Sequence, residues 1–219
     1  MSEAVVADTH AGDARGAFIR ARLGSALAVA PLGVWTLLHL WNNLSAFDGA
    51  ARWQADVATY ASPVAHALVM LVVLGPLAVH TVWGLGRMLR ARPNNDRYKG
   101  FANLRYVLQR VSAIGLVLFL GAHLWLAMLK PRLTTGHAET FADISHEMHF
   151  HGPTLAVYVL GVLGIAYHLA NGVSGFAMGW GVVQSQAGLK KLDALVWALF
   201  VGTLGLGYAV IYALYAAGR

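Results

Sequence analysis

Five apolar stretches dominate the chain, at approximately residues 23–46, 63–88, 106–129, 153–180 and 193–216, and short polar segments separate them. Each is long enough for a helix to cross a hydrocarbon core of about 30 Å, which takes about 20 residues. The segments of about ten residues with period-two alternation that build a membrane barrel do not occur. Helices also satisfy their own backbone polar groups in lipid. The pattern therefore predicts an all-α membrane protein, with an N-terminal segment at 1–22 and a five-helix transmembrane domain at 23–216. Only the first twenty or so residues and the 130–151 segment leave room outside the bilayer, so no separate soluble catalytic domain is expected. The first apolar stretch follows a polar, partly acidic leader and has no small-residue cleavage site at its end. It is expected to be retained as a helix and not removed as a signal peptide.

Composition agrees with that class. Of 219 residues, 58% are hydrophobic and 12% charged, with mean hydropathy +0.56, against about 25% charged for a soluble domain. Gly24, Gly33, Gly75, Pro76, Gly115, Gly121, Gly161 and Gly164 interrupt the apolar runs. In membrane spans, small residues let helices approach closely, and packing is their expected role.

Charge fixes an orientation. With the N-terminus in the cytoplasm, the cytoplasmic segments hold Arg15, Arg20, Arg22, Arg87, Arg90, Arg92, Arg97, Lys99, Arg105, Arg110, Lys190 and Lys191, and the other side holds Arg52, Lys130, Arg132 and Arg219. The positive-inside rule then predicts N-in and C-out. The formal net charge of +6 mostly marks the cytoplasmic face, and contact with anionic lipid or a partner protein is a further expected use of it. It is not a nucleic-acid signature.

Ionisable side chains at membrane depth are expensive and turn toward a bundle interior. From Gly152 to Val182 the chain has no Asp, Glu, Lys or Arg, yet it contains His168. His39, His80 and His123 occupy the first three spans in the same way, at near-constant intervals, and the fifth span has none. One such His is as readily a helix-to-helix hydrogen bond as a ligand. Four, one per helix, form a pattern.

Depth sorts the four into two levels. His39 and His123 lie roughly 22–24 Å from the cytoplasmic starts of their helices, and His80 and His168 roughly 10–18 Å from theirs, at 1.5 Å per residue. His39 should therefore face His123 near the outer surface, and His80 should face His168 nearer the cytoplasm. Two imidazole pairs stacked along a four-helix bundle suit two b-type haems, because bundle cores host cofactors on facing helices and His is a usual axial ligand of haem iron. "HTVWG" and "HLANG" place Gly84 and Gly172 four residues after His80 and His168, on the same helix face, which clears room for a macrocycle edge. Trp41 and Trp125, two residues after His39 and His123, are expected to belong to an interfacial aromatic belt.

Other chemistries fit less well. With no cysteine there is neither CxxCH for covalent haem nor thiolates for an iron–sulfur cluster, so electrons must enter from another chain. "HEMHFH" at 146–151, with His137 nearby, is expected in an outer loop and lacks HExxH spacing. His66, near the outer mouth of the second span, is a candidate contact to a propionate or a quinone, or a plain interfacial residue. Two His ligands per iron leave no open position, which suits electron transfer to a lipid-soluble carrier such as quinone.

"RLGSALAVAPLGVWTLLHLWNN", "HALVMLVVLGPLAVHTVWGL", "RYVLQRVSAIGLVLFLGAHLW" and "YHLANGVSGF" resemble the helices of the single-subunit, five-helix, dihaem cytochrome b of succinate dehydrogenases and fumarate reductases. The resemblance runs from about residue 20 to 216. It implies that His80 and His168 ligate the proximal haem, near a cytoplasmic iron–sulfur subunit, and that His39 and His123 ligate the distal haem. It also implies a flavoprotein carrying FAD and an iron–sulfur protein as partners, quinone as substrate, and a bacterial cytoplasmic membrane as location. The reaction implied is succinate oxidation coupled to quinone reduction, or its reverse, with the dicarboxylate bound elsewhere. Gln109 and Arg110 on the cytoplasmic level, and Arg52, Lys130 and Arg132 outside, are the candidate propionate donors.

The sequence departs from part of that family. Some dihaem fumarate reductases carry a glutamate two residues before the proximal His of the fourth helix, where this chain has Ala166, and an outer glutamate near the distal quinone site, where "ATYASPVAH" has no carboxylate. Two other classes remain open on the residues alone. One is the cytochrome b subunit of a quinone-linked hydrogenase, formate dehydrogenase or nitrate reductase, which would purify without flavin. The other is a haem-free transporter or structural subunit, which would show no Soret band.

Overall fold

The computed structural model describes residues 16–19, 21–58, 62–90 and 100–219. Most of the N-terminal segment, and the basic residues Arg15, Arg20, Arg92, Arg97 and Lys99, lie outside the described residues. Among the described residues the chain is helical with no strand, and five helices are long and apolar enough to cross a membrane: Ala21–Asp48, Pro63–Leu89, Asn103–Thr134, Gly152–Gly179 and Gln186–Ala217. The third and fifth begin three to seven residues before the apolar stretches at 106 and 193, because helical hydrogen bonding continues through polar residues past the edge of the hydrocarbon.

Local chemistry sets the ends and bends. Ala28–Gly33 winds as a π-helical turn around Pro31, which lacks the N–H needed for the i→i−4 ladder. The first span tightens into a 3₁₀ turn at Leu44–Asp48 and stops at Gly49, whose φ of 94° suits glycine. The chain then folds back through a short helix, Ala50–Trp53, and a π-helical turn, Gln54–Ala58. Trp53 is buried there, its indole N–H donating to Asn43 Oδ1 at 3.0 Å. The second span starts at an N-cap Ser62 with Pro63 in its first turn, the favoured arrangement.

The 130–151 connection is not a plain loop. Phe141–Phe150 forms a helix opened by a capping box, in which Thr140 and Asp143 each accept from the other's backbone N–H. Ile144, Ser145 and Met148 are buried beneath it. This helix and the fourth span both pack on the fifth span. Gly207 lets Val162 come close, and Gly218 lies against the Ser145 backbone.

Several of the glycines expected to pack do so. Gly24 lies against the Trp83 ring, Gly161 against Phe119 and Gly33 against Leu169, each too close for a Cβ, and Gly164 touches Leu116. A Cβ at Gly75, Gly115 or Gly121 would meet nothing within 4 Å among the described residues, so no close helix packing is seen at these three. The second span packs chiefly on the 28–33 turn of the first. Its outer side, with Val64, Leu68, Leu71, Val72, Val79 and Val82, is exposed and faces lipid in the membrane.

Two ends of the bundle differ in charge. At the basic end Arg22 donates to the Gly179 carbonyl, Arg87 to the Ala21 carbonyl and Arg105 to Asp193. At the far end the 141–150 helix is tied to the third span by Lys130 and Glu147, 3.7 Å apart.

Candidate functional site

The four intramembrane histidines meet in two pairs. His39 and His123 have ring centroids 6.0 Å apart with planes at 71°, toward the far end. His80 and His168 are 6.1 Å apart at 76°, toward the basic end. All four line one cavity of about 890 Å³ that runs between the first two spans and the third and fourth, near the upper end of the roughly 300–1,000 Å³ of ligand pockets.

Hydrogen bonds orient the basic-end pair. His80 Nδ1 lies 2.9 Å from the Gly24 carbonyl and donates to it, which leaves Nε2 without its proton. The close approach of Gly24 to the ring of Trp83, three residues after His80, brings that carbonyl within reach. His168 Nδ1 is 3.2 Å from Ser112 Oγ, whose own proton goes to the Gln109 carbonyl at 3.1 Å. The serine oxygen is therefore an acceptor for Nδ1–H, and again Nε2 is the free base. Gln109 Nε2 donates to the His168 carbonyl, and Gln109 Oε1 accepts from Asn171 Nδ2; Asn171 Oδ1 in turn accepts from Arg105, which reaches Asp193. A polar chain thus runs from the basic-end surface to the backbone of His168.

Aromatic rings orient the far-end pair. Trp35 stacks on His39 and Phe119 on His123, each four residues earlier on the same helix, with planes within 18°. Tyr158 Oη lies 3.0 Å from His123 Nδ1. Asp56, His66, Arg132 and Glu139 also line the cavity. Burial first, then the nearby Asp143 and Glu147 carboxylates, push the Glu139 carboxyl up to about 8, with Lys130 pulling the other way. Asp143 is held below the usual carboxylate range by the hydrogen bonds from Thr140.

This donor set fits a haem at each level. Two imidazoles bonded to one metal at about 2.0 Å each have ring centroids roughly 6 Å apart, close to both observed separations. Gly84 and Gly172 line the cavity beside the basic-end pair. A Cβ at Gly84 would meet nothing within 4 Å, and one at Gly172 only Gln109 Nε2 at 3.7 Å, so both open onto free space. Arg110 also lines the cavity and stacks on Tyr106, and its buried Nε has no partner among the described residues. An unpaired guanidinium N–H is what an acidic edge group needs.

Two expectations are corrected. Arg52 and Lys130 do not line the cavity: Arg52 pairs with Asp56 at 2.8 Å and Lys130 with Glu147, so of the three far-end cations only Arg132 reaches it. "HEMHFH" lies mostly on the 141–150 helix, with His149 on the Tyr215 carbonyl and His151 on Thr154. Among the described residues no group of three His, Cys, Asp or Glu could hold a metal ion. Trp41 and Trp125 are exposed on the bundle's surface.

Ser112, Tyr158, Trp35, Phe119 and Glu139 were not singled out by the sequence. Trp35 and Phe119 carried a signal, an aromatic one turn before each far-end His. Ser112, Tyr158 and Glu139 act across 35 or more residues of chain or from a connection, and no local pattern marks them.

The family model described as succinate dehydrogenase/fumarate reductase transmembrane subunit matches residues 88–206, more than half of the chain and including His123 and His168. The chain is also 28% identical over 193 residues to the succinate dehydrogenase cytochrome b558 subunit of Bacillus subtilis (strain 168), spanning 88% of this chain and 94% of that protein.

Proposed function

From the chain's membership of the succinate dehydrogenase/fumarate reductase transmembrane subunit family, we propose that it anchors such a complex and carries electrons between its iron–sulfur subunit and membrane quinone through two b-type haems. His80 and His168 hold the proximal haem and His39 and His123 the distal one. Bound there, each haem supplies reversible one-electron transfer. The observation that carries this reading is the pairing of four intramembrane imidazoles across one cavity, 6.0 and 6.1 Å apart.

The chain's own residues do the rest. The Gly24 carbonyl and Ser112 Oγ hold the Nδ1 protons of His80 and His168 and present their Nε2 lone pairs. Arg110 and Gln109 meet the acidic edge of the proximal group, and Gly84 and Gly172 make room for it. Apolar walls from Val73, Leu116, Leu120, Val162 and Ile165 exclude water between the levels. Orientation follows the charge bias, with the N-terminus and the basic end in the bacterial cytoplasm, where a flavoprotein with FAD and an iron–sulfur protein dock. The cytochrome name of the Bacillus subtilis relative supports a haem-binding role.

Purification of the tagged chain from membranes tests the assignment. Flavin, non-haem iron and succinate–quinone activity should co-purify with it, and a complex without flavin would overturn it in favour of another quinone-linked dehydrogenase.

A further inference from the structure

Two acidic side chains line the far end of the cavity, and they differ in their surroundings. Asp56 is held by Arg52 at 2.8 Å. Glu139 comes from the 135–140 connection after the third span, is half-buried, and makes no ion pair within 4 Å among the described residues. The carboxyl groups that act on it electrostatically lie at the same end: Asp143 is exposed at the start of the 141–150 helix, and Glu147 is bound to Lys130, His151 and Thr154. Glu139 therefore stands with one side on the apolar cavity that holds His39 and His123 and the other on the far aqueous face.

We propose that Glu139 is the proton-exchanging residue for a quinone bound at the far end of this cavity, linking the quinone oxygens to water on that side of the membrane. The proposal rests on the quinone-reactive reading above and assigns that site its acid–base group. In the reducing direction, two electrons from succinate oxidation in the partner subunits reach the quinone. Each of its two oxygens takes one proton from the Glu139 carboxyl, forming an O–H bond, and the carboxylate is reprotonated each time from far-side water. The oxidising direction reverses every transfer. No covalent bond forms to the chain.

The groups that face Glu139 fit this task. Asp143 and Glu147 oppose its ionisation and Lys130 favours it, and Asp56, His66, Arg132, His39, His123 and Tyr158 line the same cavity. Its carboxyl, shifted to about 8 mainly by burial, holds a proton at neutral pH and is poised to give it up. A general acid works best with a pKa near the operating pH. Neither the second nor the third span carries an Asp or Glu at membrane depth, so no carboxyl relay there offers a competing route from the other side of the bilayer.

The test uses the whole complex in sealed vesicles, with succinate–quinone turnover expressed relative to dye reduction by the soluble subunits of the same preparation. Glu139→Gln should lower that ratio by about a hundredfold or more, the lower end of the contribution of a general acid, and Glu139→Asp should restore most of it. An unchanged ratio in Glu139→Gln with both haems in place would overturn the proposal. A second measurement needs no variant: a pH indicator confined to one side of wild-type vesicles should record proton uptake on the far side, and uptake drawn from the basic-end side would also overturn it. Failure of the underlying reading looks different, as wild-type complex that lacks haem or reduces dye but no quinone.

Discussion

The two histidine levels lie in one cavity, have nearly the same ring separation and are built by different means. At the basic end, orientation comes from polar atoms: the Gly24 carbonyl, the Ser112 hydroxyl and the Gln109 and Asn171 amides that continue to Arg105 and Asp193. Beside that pair stand two open glycines and an unpaired arginine nitrogen. At the far end, orientation comes from stacked rings, Trp35 and Phe119, with one phenol and a half-buried carboxyl nearby. The difference teaches that ligand pairing and surroundings are separable. The same imidazole pair is set in a cationic, hydrogen-bonded environment at one level and in an aromatic, carboxylate-bearing one at the other. Such surroundings tune a metal centre by charge, hydrogen bonding and burial, so the two centres should differ in potential while sharing ligands.

The largest effect should come from removing the ligands. Replacing His80 or His168 with Ala should abolish the haem at the basic end and loosen attachment of the soluble subunits, whereas His39→Ala or His123→Ala should abolish only the far-end haem. Low-temperature optical spectra of the four purified variants check this. Loss of the same spectral component in all four would erase the distinction between the levels.

Gly84 offers a way to break one level without touching a ligand. Because a Cβ there meets nothing within 4 Å, Gly84→Ala should be tolerated, while Gly84→Leu should fill the space beside His80 and reduce haem content by up to one per chain. Gly24→Ala acts through protein packing instead. It would drive a methyl into the Trp83 ring, and overpacking of this kind costs about 1–3 kcal/mol. Haem-to-protein ratio and thermal stability of each variant separate the two mechanisms.

The separation of the levels along the membrane normal gives a third prediction. If quinone reacts at the far end, electrons entering at the basic end must cross most of the bilayer, and one elementary charge moved through 100 mV involves about 2.3 kcal/mol. The fourth span carries no Asp, Glu, Lys or Arg that could compensate. Turnover in sealed vesicles should therefore be electrogenic and respond to imposed potential and to uncouplers. Indifference to potential would move the quinone to the basic-end level. The orientation itself is checked by reporters, with activity after Arg219 only in an outward-facing form and in the 89–104 segment only in a cytoplasmic one.

The smallest effects belong to the positioning groups. Ser112→Ala leaves the His168 Nδ1–H without its acceptor, and loss of such a support costs roughly 10–100-fold in metal affinity. Tyr158→Phe removes the corresponding contact to His123. Each should shift the midpoint potential of its own level and leave the other unchanged, as potentiometric titration would record.

Much of this contrast was legible in the sequence because it is periodic. Apolar length gives the five spans, basic residues give the charged end, and distance along each helix gives the two levels on which the rings meet. What was not legible depends on contacts between elements. Ser112 meets His168 only through the register of the third and fourth spans, and Glu139 reaches the cavity only because the 130–151 connection folds into a capped helix that turns the preceding residues inward. Arg52 and Lys130 look available in the sequence, but Asp56 and Glu147 occupy them. Snorkelling cations at helix ends resemble one another until their partners are known.

The central claim is that each histidine level holds its own haem. A pyridine haemochrome assay on the purified complex, normalised to this chain, tests it most directly. The account predicts about two b-type haems per chain, both six-coordinate and low-spin, with one lost on replacing either member of a pair. A stoichiometry of one, or four histidine replacements that leave the spectrum intact, would contradict it.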